Sequence, residues 1–325
     1  MAHESAPHTD ASTDPPHDDM VRIPGGTFTM GSEDHYPEEG PTRTVEVDGF
    51  WMDRTPVTTA EFRAFVEDTG YVTVAEREPD PEDYPGADPD VLVPGSAVFT
   101  QPDGPVDLRD PRNWWEYVPG ANWRRPLGPD GEDADREDHP VVHVAYEDAA
   151  AYAEWAGKRL PTEAEHERAS RGGLEEAEFA WGDEFAPGGE PMANTWQGTF
   201  PWQNTEADGY AGTSPVGEFP ANGYGLYDVV GNVWEWTDDW FDARNGTDGA
   251  SACCTPTNPR GGTREGSVDP RDPGRVPRKV LKGGSHLCAP NYCARYRPAA
   301  RYPEPIDTST THVGFRCVAT DPTHG

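Results

Sequence analysis

Apolar and polar residues alternate in two stretches near the start of the chain. Residues 21–32 alternate around a Gly-Gly pair, which is typical of a hairpin at the edge of a sheet, and residues 44–52 repeat the alternation. Residues 57–70 follow a helical period instead, because Phe62, Phe65 and Val66 fall on one face. Threonines at the start of this segment and Gly70 at its end predict a helix of about three turns.

Two more helices are predicted in the middle of the chain. Residues 146–157 place Ala150, Ala153 and Trp155 where they can pack together. Another helix begins after Thr162, because this threonine and Glu165 have the spacing of a capping box. Residues 139–144, which lead into the first of these two helices, are predicted to form a strand.

Long irregular segments separate these elements, and the chain contains 35 Gly and 35 Pro. Residues 76–138 are rich in Pro, Asp and Gly, and the Trp clusters within them indicate either local packing or the wall of a cleft. Residues 1–20 have almost nothing to bury and predict a disordered acidic tail, while residues 242–278 resemble a loop insertion. We therefore expect one compact α+β domain over residues 21–321, with little regular secondary structure.

The formal net charge of −33 makes nucleic acid an unsuitable partner, because an acidic chain repels phosphate backbones. Only three of the 26 basic residues are lysines. A large acidic surplus with few lysines is typical of proteins adapted to high internal salt, where screening weakens self-repulsion.

Basic residues are concentrated in one part of this acidic chain. Between positions 271 and 301, eight basic residues stand beside one acidic residue, Asp272. These side chains could pair internally with carboxylates, or they could form an electropositive site that stabilises thiolates.

No apolar run is long enough to cross a membrane, and the N-terminal residues lack the apolar core of a secretory signal. The sequence therefore predicts a cytoplasmic protein without a membrane partner, and we expect it to be a monomer. A reducing compartment would keep its cysteines available as thiols.

Cys288 and Cys293 are the strongest candidates for chemistry. Pro290 and Asn291 lie between them and bend the backbone, so the two sulfurs can converge. Such a pair could form a disulfide, bind a metal or occupy unrelated core positions. Two soft thiolates without nearby carboxylates favour Cu(I), whereas structural zinc normally has four ligands.

Other metal-ligating residue types are less suitable. His139 and His143 lie on either side of Pro140 in a predicted strand, so they do not share a helical face. Cys253 and Cys254 are adjacent, and adjacent cysteines ordinarily point apart. One of these two could instead pair with Cys317.

Several short motifs surround the Cys-x4-Cys pair in a fixed order: Gly283-Gly284-Ser285, Arg295-Tyr296-Arg297, Ala299-Ala300-Arg301 and Gly314-Phe315-Arg316-Cys317. Together they resemble the active-site end of the formylglycine-generating enzymes, the sulfatase-modifying factor family. Pro-Gly-Gly-x-Phe-x-Met-Gly and Pro-Val-Thr pieces after residue 21 resemble the opening of the same family. The resemblance implies the formylglycine-generating-enzyme fold, which is C-type-lectin-like.

The resemblance also implies an activity. The family oxidises the cysteine of a Cys-x-Pro-x-Arg sequence in an unfolded sulfatase polypeptide to Cα-formylglycine, with O2 as co-substrate. Cys288 and Cys293 would hold Cu(I) and leave one position open for the substrate thiolate. Ser285 could hydrogen-bond oxygen species at the copper or could be only a turn serine. Trp234 would form a wall of the site and Arg301 would shape the substrate cleft, although both could be structural.

Calcium is a further implication of the resemblance. By composition alone, the two segments concerned could be Asx turns and a Trp-rich strand. The resemblance implies one structural Ca2+ held by Asn194, Thr195, Asp208 and Tyr210, and a second held by Asp228, Gly231, Val233 and Glu235, partly through backbone carbonyls.

The chain departs from its relatives at three positions. Ala289 stands where many relatives have His, and His312 stands where many have Asn. We expect His312 to supply the imidazole that position 289 lacks, unless it is only a hydrogen-bonded loop residue. Ser170 replaces the cysteine that pairs with the last cysteine in some relatives, so that disulfide is absent. His286, on the strand face of Cys288 by its period-two spacing, is a weaker candidate for a third ligand.

Two other functions use the same fold. Iron-dependent sulfoxide synthases carry their metal histidines on an additional N-terminal helical domain, which residues 1–20 cannot supply. Non-catalytic lectin-like binding modules have no use for two converging thiols. Cys288 and Cys293 therefore distinguish the oxidase from both alternatives.

Overall fold

Short regular elements are connected by long loops in the computed structural model, which describes residues 15–82, 84, 92–131, 136–243 and 255–321. Three α-helices lie within these ranges: α1 (Thr59–Thr69), α2 (Tyr146–Trp155) and α3 (Glu163–Ser170). A 3-10 turn spans Pro37–Glu39. None of the helices in the described ranges has the length and apolar composition of a membrane span.

The strands form two mixed or antiparallel sheets and three separate ribbons. The strands are β1 (Met20–Ile23), β2 (Gly26–Met30), β3 (Arg43–Val47), β4 (Phe50–Asp53), β5 (Gly95–Phe99), β6 (Trp115–Pro119), β7 (Gly198–Thr199), β8 (Gln203–Asn204), β9 (Trp234–Trp240), β10 (Arg278–Lys282), β11 (Arg301–Pro305), β12 (Val313–Gly314) and β13 (Val318–Thr320). One sheet has the order β1-β4-β13, and the other has the order β11-β10-β9-β12. Strands β9 to β12 place the candidate site, because the cysteine pair lies in the loop between β10 and β11.

Local capping signals place the predicted helices correctly. The Thr58 hydroxyl accepts a hydrogen bond from the Glu61 amide, and Gly70 ends α1 in the left-handed conformation, with φ of 69°. Thr162 and Glu165 form the predicted capping box at the start of α3. These helix predictions are confirmed, and so is the predicted α+β fold with little regular structure.

Two strand predictions are wrong. Strands β1 and β2 do not pair with each other: β1 pairs with β4, and β2 pairs with β3. Gly25 and Gly26 turn the chain from one sheet into another, and a Cβ at Gly25 would lie 2.7 Å from the Gly49 amide nitrogen. Residues 139–144 make only an isolated bridge at Pro140, because His143, with φ of 60°, interrupts the extended backbone.

The largest core cluster extends directly under the candidate site. Phe62 and Phe65 of α1 pack with Tyr152 of α2, and the same cluster includes Trp234 and Cys288. Each fully buried aromatic side chain of this kind contributes about 2 kcal/mol through burial. The candidate site therefore rests on the largest hydrophobic cluster among the described residues.

Buried ion pairs neutralise much of the basic stretch. Arg297 pairs with Glu39 at 2.6 Å, Arg301 pairs with Glu163 at 2.6 Å, and Lys282 pairs with Glu167 at 3.0 Å. All six side chains are at most 5% exposed, so each charge depends on its partner. The internal-pairing interpretation is confirmed for these three residues.

Candidate active site

An open cavity of about 410 Å³ lies between the loop after β10, strand β11 and the irregular segment around Trp114. Its lining includes both Cys288 and Cys293, the polar residues Ser285 and His312, and the aromatic residues Trp114, Trp115, Phe200, Trp234, Tyr292 and Tyr302. The Trp pair in the Pro-rich segment therefore lines a cleft, which was one of the two interpretations of its sequence.

Two glycines aim the cysteine loop into this cavity. Gly283 and Gly284 have φ of 90° and 72°, a region that side chains disfavour. A Cβ at Gly284 would lie 2.6 Å from the Arg295 carbonyl oxygen, and one at Gly283 would lie 2.9 Å from the Val229 carbonyl oxygen. Glycine at position 283 therefore lets the loop pass close to the backbone of Val229, and glycine at position 284 lets it fold back against its own continuation.

A short helical turn brings the two thiols together. The Cys293 amide donates to the Ala289 carbonyl at 2.8 Å, and the Cys288 amide donates to the Ser285 carbonyl at 2.9 Å. The two sulfurs lie 3.2 Å apart, and both cysteines are free thiols. The Ser285 amide also donates to the Cys288 sulfur at 3.4 Å. Convergence of the pair, expected from the sequence, is present without a disulfide.

The two thiols differ in acidity. A hydrogen bond from Cys288 and then the charge of Arg295 lower the pKa of Cys293 to about 7, against the effect of burial. Burial, and then the hydrogen bond and charge of Cys293, raise the pKa of Cys288 well above its usual value. Nη1 of Arg295 lies 3.7 Å from the Cys293 sulfur, while Nη2 pairs with Glu38 at 2.6 Å. Arg295 thus combines both interpretations of the basic stretch, internal pairing and thiolate stabilisation.

The two other predicted catalytic residues also line the cavity. The Ser285 hydroxyl accepts a hydrogen bond from the Leu287 amide at 3.3 Å, which is a turn interaction that leaves its proton free to donate. Nδ1 of His312 lies 2.6 Å from the Thr310 hydroxyl, and its ring centroid is 4.9 Å from that of Trp115. Burial lowers the pKa of His312 to about 3, so the imidazole is neutral.

Three nearby residues are directed elsewhere. Nδ1 of His286 bonds to the Asn232 carbonyl at 2.8 Å, and His286 is not among the residues that line the cavity. Ala289 is fully buried in an aromatic cluster with Trp114 and Phe200. Arg301, predicted to shape the cleft, is instead buried against Glu163 and does not line it. Its planar guanidinium serves as a buried ion-pair partner.

The thiol pair fits a soft monovalent metal. Its donors are two sulfurs, one of which has a lowered pKa, and soft thiolates select Cu(I). In the ranges that the structure describes, no group of three or more His, Cys, Asp or Glu side chains could hold a metal ion. A metal on this pair would therefore keep coordination positions open for a substrate.

The first predicted calcium site is assembled around one carboxylate. Asp208 accepts hydrogen bonds from the amides of Thr195 and Tyr210, both at 3.2 Å, and from Gln197 at 3.3 Å. Asn194 lies beside this group and donates to the Gly212 carbonyl at 2.9 Å. All donors to Asp208 are neutral, so its charge is not balanced by a basic partner, which suits a cation.

The second predicted calcium site fits only in part. Oδ1 of Asp228 is buried without a hydrogen-bond partner, and burial raises the pKa of Asp228 to about 6. A cation at this oxygen would satisfy it. The carboxylate of Glu235 is already held by Arg316, with two contacts of 2.8 Å, and by His166 at 3.1 Å. Because its carboxylate is held by Arg316 and His166, Glu235 does not fit the role of a calcium ligand in this arrangement. The other two predicted ligands, Gly231 and Val233, lie in the segment that directly follows Asp228.

The remaining cysteines separate into two cases. Cys317 is a buried free thiol, and the Ser170 hydroxyl bonds to His166, so no disulfide forms between these positions. Because Cys317 is free, the possibility that it forms a disulfide with one of the two adjacent cysteines does not hold. Cys253 and Cys254 lie outside the described residues, as does most of the predicted N-terminal tail.

Several lining residues were not found from the sequence. Tyr292, Tyr302 and Glu304 line the cavity. Tyr302 and Glu304 are two residues apart on β11, so they share one strand face, and this spacing was the only signal available. Nothing in the sequence showed that this face borders the thiols.

A family model described as "Sulfatase-modifying factor enzyme 1-like domain" matches residues 5–321. A formylglycine-generating enzyme of Mycobacterium tuberculosis is 58% identical and covers 94% of this chain and 99% of its own length. A formylglycine-generating enzyme from Thermomonospora curvata is 49% identical over 92% of this chain and 93% of its own length. A mouse relative named "Inactive C-alpha-formylglycine-generating enzyme 2" is 36% identical over 92% of this chain and 85% of its own length.

The fold also has a solved neighbour. PvdO from Pseudomonas aeruginosa aligns with a TM-score of 0.63 at 24% identity, covering 93% of this chain and 94% of its own. At this identity the likeness concerns the fold alone, and it agrees with the predicted fold class. The family model and the more similar relatives confirm the resemblance first seen around the cysteine pair, and the chain belongs to the sulfatase-modifying factor family of formylglycine-generating enzymes.

Proposed function

We propose that this protein oxidises the cysteine of a Cys-x-Pro-x-Arg sequence in sulfatase polypeptides to Cα-formylglycine, using copper and O2. The observation that carries the proposal is the unbridged pair of Cys288 and Cys293, whose sulfurs lie 3.2 Å apart in an open aromatic cleft. Family membership alone would not be sufficient, because one relative is named inactive.

The two cysteines would hold the metal as sulfur donors and leave room for a third sulfur, that of the substrate. When bound, copper supplies the one-electron chemistry through which O2 oxidises a thiolate. Arg295 favours the thiolate form of Cys293, because its guanidinium lies 3.7 Å from that sulfur. Ser285 and neutral His312 offer hydrogen bonds to the substrate from the cavity wall.

The overall reaction balances with two equivalents of an external thiol as reductant. The substrate CH2–SH group loses one hydrogen from carbon and one from sulfur and becomes a thioaldehyde. The external thiols become a disulfide, and O2 is reduced to two waters. Water then replaces the sulfur of the thioaldehyde, which leaves as hydrogen sulfide, and the aldehyde of formylglycine remains.

The aromatic walls suit an unfolded polypeptide better than a folded one. Trp114, Trp115 and Tyr292 provide flat apolar contacts, and an extended segment can lay its side chains along them. Calcium would then act at a distance from the reaction by neutralising Asp208 and the unpartnered oxygen of Asp228. In this proposal copper is the catalytic metal and calcium is structural.

The test supplies purified protein with copper(I), air, a thiol reductant and a Cys-x-Pro-x-Arg peptide. Mass spectrometry should find one sulfur and two hydrogens replaced by one oxygen. Cys288→Ser and Cys293→Ser should abolish the product, whereas Cys317→Ser should keep it, because that buried thiol does not line the cavity. Absence of product with the wild-type protein, or undiminished product with both cysteine variants of the pair, would refute the proposal.

A further inference from the structure

One carboxylate in the cleft forms no ion pair with any residue that the structure describes. Glu304 lies on β11 and lines the same cavity as Cys288 and Cys293. Burial, and then the charge of Asp307, raise the pKa of Glu304 to about 7, against a hydrogen bond from Thr308 and the more distant charge of Arg278, which lower it. Among the ion pairs that the described residues form, none includes Glu304. Its charge would therefore be stabilised by a cation brought into the cavity.

The basic side chains closest to Glu304 in the sheet are engaged elsewhere. Lys279 is directly opposite Glu304 in the register of β10 and β11, but its Nζ lies 3.1 Å from Asp238 and 4.0 Å from the ring centroid of Trp240. Arg278, one residue earlier, pairs with Asp269 at 3.6 Å. Neither residue can neutralise Glu304 without leaving an established partner.

Arg295, the one basic residue that lines the cavity among those described, is also engaged. It pairs with Glu38 at 2.6 Å and lies against the sulfur of Cys293. The cleft therefore holds a positive charge beside the thiols and, on the strand that forms another part of its wall, an acidic group that forms no ion pair with the described residues.

The surroundings of Glu304 suit a flat cation. Tyr302 precedes it by two residues, so both side chains are on one face of β11, and Tyr302 lies opposite Leu281 in the sheet. Tyr302 is 40% exposed, its ring centroid is 6.0 Å from that of Trp234, and the guanidinium of Arg295 lies 5.4 Å from that centroid on one side of the ring. A guanidinium can stack on such aromatic faces while donating two hydrogen bonds to a carboxylate, which a lysine ammonium cannot do.

We propose that Glu304 is a specificity-determining residue that binds the arginine guanidinium of the Cys-x-Pro-x-Arg sequence. This inference depends on the proposed function and names the group in this chain that recognises the substrate. The arginine follows the reacting cysteine by four residues, which span at most about 14 Å when extended. One peptide can therefore place its cysteine at the thiol pair and its arginine at Glu304 within a single cavity.

Two peptides that differ only at the arginine test this assignment. One carries arginine and the other carries citrulline, which has nearly the same shape but no charge. The wild-type protein should convert the arginine peptide with a kcat/KM about 10- to 100-fold higher than that for the citrulline peptide. This is the effect on binding that a hydrogen-bonded charge pair typically has. Most of the difference should be in KM, because Glu304 binds the substrate remote from its reacting atoms.

Glu304→Gln should reduce this preference to about twofold or less, and a melting temperature within a few degrees of the wild-type value would show that the variant is folded. Asp307→Asn is the matched control, because Asp307 is bonded to Tyr84 and does not line this cavity. It should retain the wild-type preference.

The possible failures are distinct. If the wild-type protein converts neither peptide, the proposed function is wrong and this inference is wrong with it. If the wild-type protein does not distinguish the peptides, or if Glu304→Gln keeps the full preference, only the role of Glu304 is refuted.

Discussion

The buried carboxylate of Glu167 anchors the strand end from which the cysteine loop begins. It accepts hydrogen bonds from Lys282 at 3.0 Å, from Arg171 at 2.7 Å and from the Gly31 amide at 2.7 Å. Lys282 is the last residue of β10 and directly precedes Gly283. Glu167→Gln keeps the shape of the side chain but removes the charge that balances Lys282.

Two estimates of the cost agree. Burial alone would raise the pKa of Glu167, but the charges of Lys282 and Arg171 outweigh it and hold the pKa at about 2 instead of 4.5. That difference corresponds to about 3 kcal/mol of stability. Breaking a buried ion pair and leaving one charge unpaired costs about 3–5 kcal/mol in other proteins. We therefore expect Glu167→Gln to lower the free energy of unfolding by about 3 kcal/mol at neutral pH.

Urea unfolding of the two proteins at several pH values measures this effect. A carboxyl group whose pKa is lowered by folding stabilises the protein above its unfolded pKa, and this contribution is lost as pH falls. The difference in free energy of unfolding between wild type and Glu167→Gln should therefore have its maximum value above about pH 5. It should become smaller as the pH falls from about 4.5 towards 2. Glu154→Gln, at an exposed position of α2, should change little. A loss below about 1 kcal/mol at neutral pH, or one independent of pH, would refute the argument.

Three other changes test the site. Arg295→Gln should raise the pKa of Cys293 from about 7 to about 8 or above, because it removes a charge 3.7 Å from the sulfur. The pH dependence of alkylation of the metal-free protein measures this pKa, with Arg295→Lys as the control. A pH profile of alkylation that stays unchanged in Arg295→Gln would contradict the prediction. His312→Ala should lower turnover per folded molecule about tenfold or more, and lower stability with intact turnover would make His312 a loop residue only. Removing calcium with a chelator should lower the melting temperature of the wild type, and Asp228→Asn should reduce that effect; a melting temperature unaffected by chelation would remove both calcium proposals.

Local signals in the sequence predicted the helices because their causes are local. Thr58 and Thr162 satisfy amides three residues away, and Gly70 supplies the left-handed residue that ends α1. Strand partners could not be predicted in the same way. The alternation of residues 21–32 fits any sheet, and the choice of β4 and β3 as partners is decided by packing between residues distant in sequence.

The candidate site shows the same division. The spacing of Cys288 and Cys293 was enough to predict convergence, because one helical turn brings them together. The side chains of Arg301 and Glu304 could not be placed, because both lie on β11 and only the folded sheet shows which of them faces the cavity. Arg301 is buried in an ion pair with Glu163, whereas Glu304 lines the cavity that contains the thiols.

The two charged groups of the cleft favour one orientation of a bound peptide. Arg295 lies beside the sulfur of Cys293, and Glu304 lies on β11 and forms no ion pair with the described residues. A peptide that bears a thiolate and a guanidinium four residues apart is attracted in one orientation, and reversing it would bring like charges together at both positions. In a chain with a net charge of −33, the general field attracts cationic peptides of any sequence. We therefore expect selection of a particular cysteine to come from these two local charges, which lie close enough to a bound peptide to act within the screening length of the solvent.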